Sequence, residues 1–123
     1  MELVFRICLF LAGVINVLPA LLAFLPDRIP KAYGVAVPNA NYELLLRHRA
    51  VLFGIVGGVM IYSAVSQEYY TLATQIGLIS MLSFVALYWP KRKSINAELK
   101  KVMQIDLIGI LILIVGYILF KYL

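Results

Sequence analysis

Seven polar residues lie in or beside the long apolar stretches that take up most of the chain: Asn16, Glu43, Arg47, His48, Arg49, Gln104 and Asp106. Their types suit two kinds of chemistry. Arginines beside carboxylates either form ion pairs or hold a phosphate or carboxylate ligand through the bidentate guanidinium fork. A carboxylate such as Glu43 or Asp106 can act as a general acid or base when its surroundings tune its proton affinity. Nearby arginines favour the ionised form, which suits binding better than acid catalysis. Other chemistries are excluded by counting. His48 is the only histidine and Cys8 the only cysteine, so neither a disulfide, a CxxC redox pair nor a histidine or cysteine metal centre is expected. No catalytic motif and no cofactor-binding motif is present.

The elements that must position these residues are membrane spans. Hydrophobic residues make up 63% of the chain and charged residues 14%, against roughly 25% charged in a soluble domain. The mean hydropathy of +0.95 rules out a soluble protein. Four apolar stretches, at about 3–25, 46–66, 70–89 and 102–122, are each close to the roughly 20 residues that cross a bilayer. The expected fold is all-α, a four-helix transmembrane bundle forming a single domain over 1–123. Alternating hydrophobicity is absent, which excludes an outer-membrane barrel. The first stretch exceeds the roughly 7–15 apolar residues of a signal peptide and is interrupted by Asn16, so it reads as a span.

Breakers and caps divide the chain further. Pro19 is expected to kink the first span. Pro26, Pro30 and Pro38 keep the link after it irregular, with Asp27 capping a short turn that Gly34 ends. Asn39 or Asn41 caps the second helix, which is expected to start near Tyr42. Pro90 ends the third span, and the segment from Ser94 to Asn96 opens the fourth helix.

Orientation follows from the cations. The loops after the first and third spans hold Arg28, Lys31, Arg47, Arg49, Lys91, Arg92, Lys93, Lys100 and Lys101, whereas the opposite face holds Arg6 and Lys121. Nine against two places those loops in the cytoplasm and both termini on the non-cytoplasmic side. The same bias disfavours a dual-topology dimer. It accounts for the net charge of +5 without nucleic acid, which is not an expected partner. A prokaryotic cytoplasmic (inner) membrane is the expected location.

Helices in lipid associate through small residues and polar contacts. Each span carries such a face: Gly13, Asn16, Ala20 and Ala23; Ala50, Gly54 and Gly58; Ala73, Gly77, Ser80 and Ser83; Gly109 and Gly116. Glu43 and Arg47 form an i,i+4 pair on the face of Ala50. Asp106 precedes Gly109 by three residues and so is expected to face the bundle, where Arg47 or Arg49 would pair with it. Asn16, Glu43, Arg47, Arg49 and Asp106 together are expected to floor a ligand-binding cavity near the cytoplasmic leaflet. The bland counterparts are a structural ion pair for Asp106, a lipid-contacting collar for Arg47-His48-Arg49, and an interhelical hydrogen bond for Asn16.

The run Leu44-Leu45-Leu46 into Arg47-His48-Arg49, followed by Gly54, Gly57 and Gly58 and by Asp106 downstream, resembles the DoxX-like group of small four-helix integral membrane proteins. The resemblance spans nearly the whole chain and implies a fold more than an activity. In outline the chain is also similar to small helical sterol-binding or sterol-isomerising membrane proteins, for which Asp106 and Glu43 would be the candidate acids. Three readings stay open: binding, with or without transport, of a lipid or small anionic amphipathic molecule; an accessory subunit packing against a larger membrane partner or in a homo-oligomer; and a lipid-modifying enzyme. Membrane lipids are partners in all three.

Overall fold

A computed structural model describes residues 1–122, apart from the Pro26 side chain. Leu123, the last residue of the expected domain, lies outside the described residues. Four helices long and apolar enough to cross a membrane run Glu2–Ala23, Ala40–Ser66, Tyr70–Ser94 and Ala97–Tyr122. The chain is therefore a small integral membrane protein, and it is all-α among the described residues.

The first span is not one regular helix. α1 (Glu2–Val17) passes into a 3-10 helix, Leu18–Ala23, with Pro19 in its first turn. Proline has no N–H to donate back to Ile15, and its ring crowds that carbonyl. The chain answers by tightening to three residues per turn rather than by kinking and resuming as an α-helix. A second 3-10 turn, Pro26–Arg28, leads into the short α2 (Ile29–Tyr33), which Gly34 ends at a left-handed φ of 63°. Asp27 lies in that 3-10 turn. Arg28, not Asp27, holds the cap position of α2, without a side-chain bond.

α3 (Ala40–Ser66) starts where Asn39 Oδ1 accepts the N–H groups of Asn41 and Tyr42 at 3.0 and 3.2 Å. α4 (Tyr70–Tyr88) follows a tight link in which Gln67 and Tyr69 both have positive φ and the Ser63 hydroxyl donates to the Glu68 carbonyl. Pro90 converts the end of this span to a 3-10 helix, Trp89–Ser94, rather than stopping it outright. α5 (Ala97–Tyr122) opens with Asn96 Oδ1 accepting the Leu99 N–H at 2.9 Å. Asn96 also donates to the carbonyls of Tyr33 and Gly34 at 2.9 and 2.8 Å, tying the two long connections together.

Inside the bundle α1 packs against α3 and α5, and α4 packs against α5 and α3. Phe5, Leu9, Met60, Met81 and Leu113 are fully enclosed. The α1–α3 crossing is set by Gly13 and Gly57: a methyl group on Gly57 would lie 2.5 Å from both the Gly13 carbonyl oxygen and Val17 Cγ2. On α3 the expected small face included Gly58, yet Gly58 points outward with no atom within 4 Å of a would-be methyl. Helix geometry explains the correction. Seven residues on from Ala50 return the face to within about 20°, whereas eight overshoot it by about 80°.

Two arginines join α1 to α3 reciprocally. Arg6, early in α1, donates Nε–H to Ala64 O at 2.7 Å and Nη2–H to Val65 O at 3.4 Å, in the last turn of α3. Arg47, early in α3, donates Nε–H to Ala23 O at 2.8 Å, at the end of the segment that follows α1. Carbonyls in a last turn lack intrahelical donors, and lipid offers none in their place.

Candidate functional site

A cleft opens between α3 and α4 at the end of the bundle that carries the two long connections. Its outer part is a cavity of about 340 Å³, walled by Tyr33 from α2, Leu46 and Arg49 from α3, Leu87 and Tyr88 from α4, and Leu99 from α5. A second cavity of about 220 Å³ continues along α3 and α4 past Phe53, Ser80 and Ser83. Arg49, Phe84 and Leu87 wall both, so the two cavities adjoin at these residues. Among the described residues, Arg49 is the one charged residue in either wall.

Arg49 is held by rings. Its guanidinium carbon lies 4.7 Å from the centre of Phe53, and 5.3 Å from those of Tyr33 and Phe84. Each ring face attracts the cation. Phe53 stands one helical turn from Arg49, a spacing visible in the sequence. Tyr33 and Phe84 arrive from α2 and α4, and no local signal announces them. Among the described residues no acceptor lies within hydrogen-bond reach of the Arg49 guanidinium, and no carboxylate lies within 4.0 Å of it.

The other expected residues are distributed differently. Glu43 and Arg47 come together at 3.6 Å, as their spacing predicts, but their side chains are 37% and 46% exposed and do not face the bundle interior. His48 and Gln104 are exposed. Asn16 sits in the core, where its amide donates to Ala12 O at 2.9 Å and to Met60 Sδ at 3.8 Å and accepts from the Ser80 hydroxyl at 3.3 Å. It links α1, α3 and α4 and walls neither cavity.

Asp106 is buried, as its spacing from Gly109 predicts. Neither expected ion pair forms: among the described residues no cation lies within 4.0 Å of its carboxylate, and Arg47 is engaged by Glu43 and Ala23. Gly109 faces Met81, and Leu113 faces Gly77. That antiparallel register sets Asp106, three residues before Gly109, level with Phe84, three residues after Met81, whose ring lies beside Arg49.

The five expected residues therefore do not converge on one cavity. Arg49 alone faces the cleft, with aromatic and aliphatic side chains as its companions. Such an arrangement can hold an anion at its polar point and an apolar chain along its walls. No protein-family model, no curated protein and no solved structure matches this chain.

Proposed function

We propose that the protein binds an amphipathic molecule with a phosphate or carboxylate head, placing the head on Arg49 and the apolar part along the α3–α4 cleft. The observation that supports this reading most directly is a ring-surrounded guanidinium without a protein acceptor in the wall of a mostly apolar cleft. A half-buried arginine left without acceptors is costly, and a ligand anion would supply them. With the loops on the cytoplasmic side, the cleft opens toward the cytoplasmic leaflet, and release of the same ligand elsewhere would make the protein a transporter. The acid-base reading gains nothing from the geometry, since neither Glu43 nor Asp106 walls the cleft.

The test is binding of a fluorescent fatty acid and of a fluorescent lysophosphatidic acid to detergent-purified protein. Arg49→Gln removes a charged hydrogen-bond partner, for an expected loss of about 10- to 100-fold in affinity. Leu87→Trp, at a position exposed on the wall of both cavities, is expected to weaken binding by obstructing the chain. Unchanged affinity in Arg49→Gln refutes the reading. A second reading, packing against a larger membrane partner, draws support from one feature: a groove of about 480 Å³ beside Gly54, Gly58 and Tyr62 on the outer face of α3. Gly58→Leu would abolish co-purification of such a partner and leave ligand affinity intact.

A further inference from the structure

The structure points to a second site, in a groove that shares no wall residue with the Arg49 cleft. We infer that the groove beside the 3-10 segment Leu18–Ala23 holds one anionic phospholipid, with its phosphate between Arg28 and Lys31. The groove measures about 820 Å³ and is walled by Leu18, Leu21, Leu22 and Leu25, with Arg28 and Lys31 at its mouth.

The groove lies beside the 3-10 segment that carries Pro19. In a 3-10 helix side chains three apart eclipse one another. Leu18 lies over Leu21, and Leu22 leads to Leu25 just beyond the segment, so an α-helical stripe becomes paired leucine ridges. Leu18, Leu21 and Leu25 are 57%, 55% and 44% exposed, as lipid-facing residues are. The turn Pro26–Arg28 then brings the chain back, so that Arg28 and Lys31, again three apart, stand where the leucines end. Both cations are exposed, and among the described residues neither has a carboxylate within 4.0 Å. Asp27 is adjacent in sequence but pairs with neither.

An apolar channel on the outside of a membrane bundle, ending at two unpaired cations, matches an acyl chain joined to a phosphate. Charge selects among lipids. Phosphatidylcholine carries its own ammonium group and offers no net charge to the pair, whereas phosphatidylglycerol does. Two cations at an anionic membrane surface correspond to about a 30-fold preference, from roughly fivefold each.

Native mass spectrometry of the full chain in a neutral detergent tests this, with phosphatidylglycerol or phosphatidylcholine added in turn. Wild type is expected to retain one phosphatidylglycerol under activation that strips phosphatidylcholine. Arg28→Gln combined with Lys31→Gln is expected to lose that adduct by about 30-fold, the factor from two cations. The double variant should unfold at the wild-type temperature, because neither side chain bonds to another element. Arg49→Gln should keep the adduct, which separates this site from the cleft. Equal retention of the two lipids, an adduct unaffected by the double variant, or an adduct lost only in Arg49→Gln each overturns the inference.

Discussion

Arg47 makes two interactions, and their relative worth can be measured. Its Nε–H donates to Ala23 O at 2.8 Å, and its Nη1 lies 3.6 Å from Glu43. Ala23 is 5% exposed and the bond to it is part-buried, so losing the donor leaves the carbonyl without a protein partner. Leaving such an acceptor unsatisfied costs about 1–3 kcal/mol. The ion pair is a different matter, because side chains 46% and 37% exposed are largely screened. Pairs of that kind contribute about 0–1 kcal/mol, and the lower half of that range applies here. Arg47→Gln should therefore destabilise by about 1–3 kcal/mol, against less than about 0.5 kcal/mol for Glu43→Gln. Arg47→Lys keeps the charge but loses the planar Nε–H, so it should resemble Arg47→Gln. The assay is thermal unfolding in neutral detergent, followed with a dye that fluoresces on reaction with thiols. Cys8 is the only thiol and is half-buried where a methyl on Gly116 would lie 2.7 Å from its Cβ, so a rise in its reaction rate reports separation of α1 from α5. If Glu43→Gln costs as much as Arg47→Gln while Arg47→Lys is neutral, charge and not the carbonyl bond joins α3 to the first span.

The same assay checks two further expectations. Gly57→Ala should destabilise by about 1–3 kcal/mol, because its methyl meets backbone atoms of α1 that cannot yield, whereas Gly58→Ala should be neutral or stabilise by up to about 1 kcal/mol through helix propensity. Asp106→Asn should leave stability unchanged or raise it by up to about 2 kcal/mol, since an uncharged amide costs less to bury than a carboxylate without a partner; a loss of about 3–5 kcal/mol would mean that a buried ion pair exists after all.

Much of this architecture is legible in local sequence. The four spans, the Asn39 cap, the left-handed Gly34 and the Glu43–Arg47 pair all follow from spacing within one element, and the structure places them there. The burial of Asn16 and Asp106 is equally local, because each shares a helical face with glycine. What is not legible depends on how helices meet. Gly57 and Gly58 are equivalent as letters, and the crossing of α1 decides which of them is buried. The partner of Arg47 is a backbone carbonyl 24 residues away, a group that every residue carries and no sequence pattern marks. Asp106 and Arg49 attract each other on paper, but the α4–α5 register puts Phe84 at their level.

That failure of pairing bears on what Arg49 is for. Arg47 and Arg49 are two residues apart, about 200° around α3, so they serve opposite neighbours. Arg47 turns to the first span, where its donors find a carbonyl and a carboxylate. Arg49 turns to α2 and α4, where it meets only rings. Stacking and hydrogen bonding use different parts of a guanidinium. Ring faces attract a cation without accepting a conventional hydrogen bond from its N–H groups. The three rings can thus surround Arg49 without satisfying its donors. An acid beside it would have satisfied them, and here no carboxylate lies within 4.0 Å among the described residues. A bundle built only for stability would gain by letting Asp106 and Arg49 meet, or by replacing both with leucine. One cation left unpaired beside a mostly apolar cleft is what the proposed binding of an external anion would require.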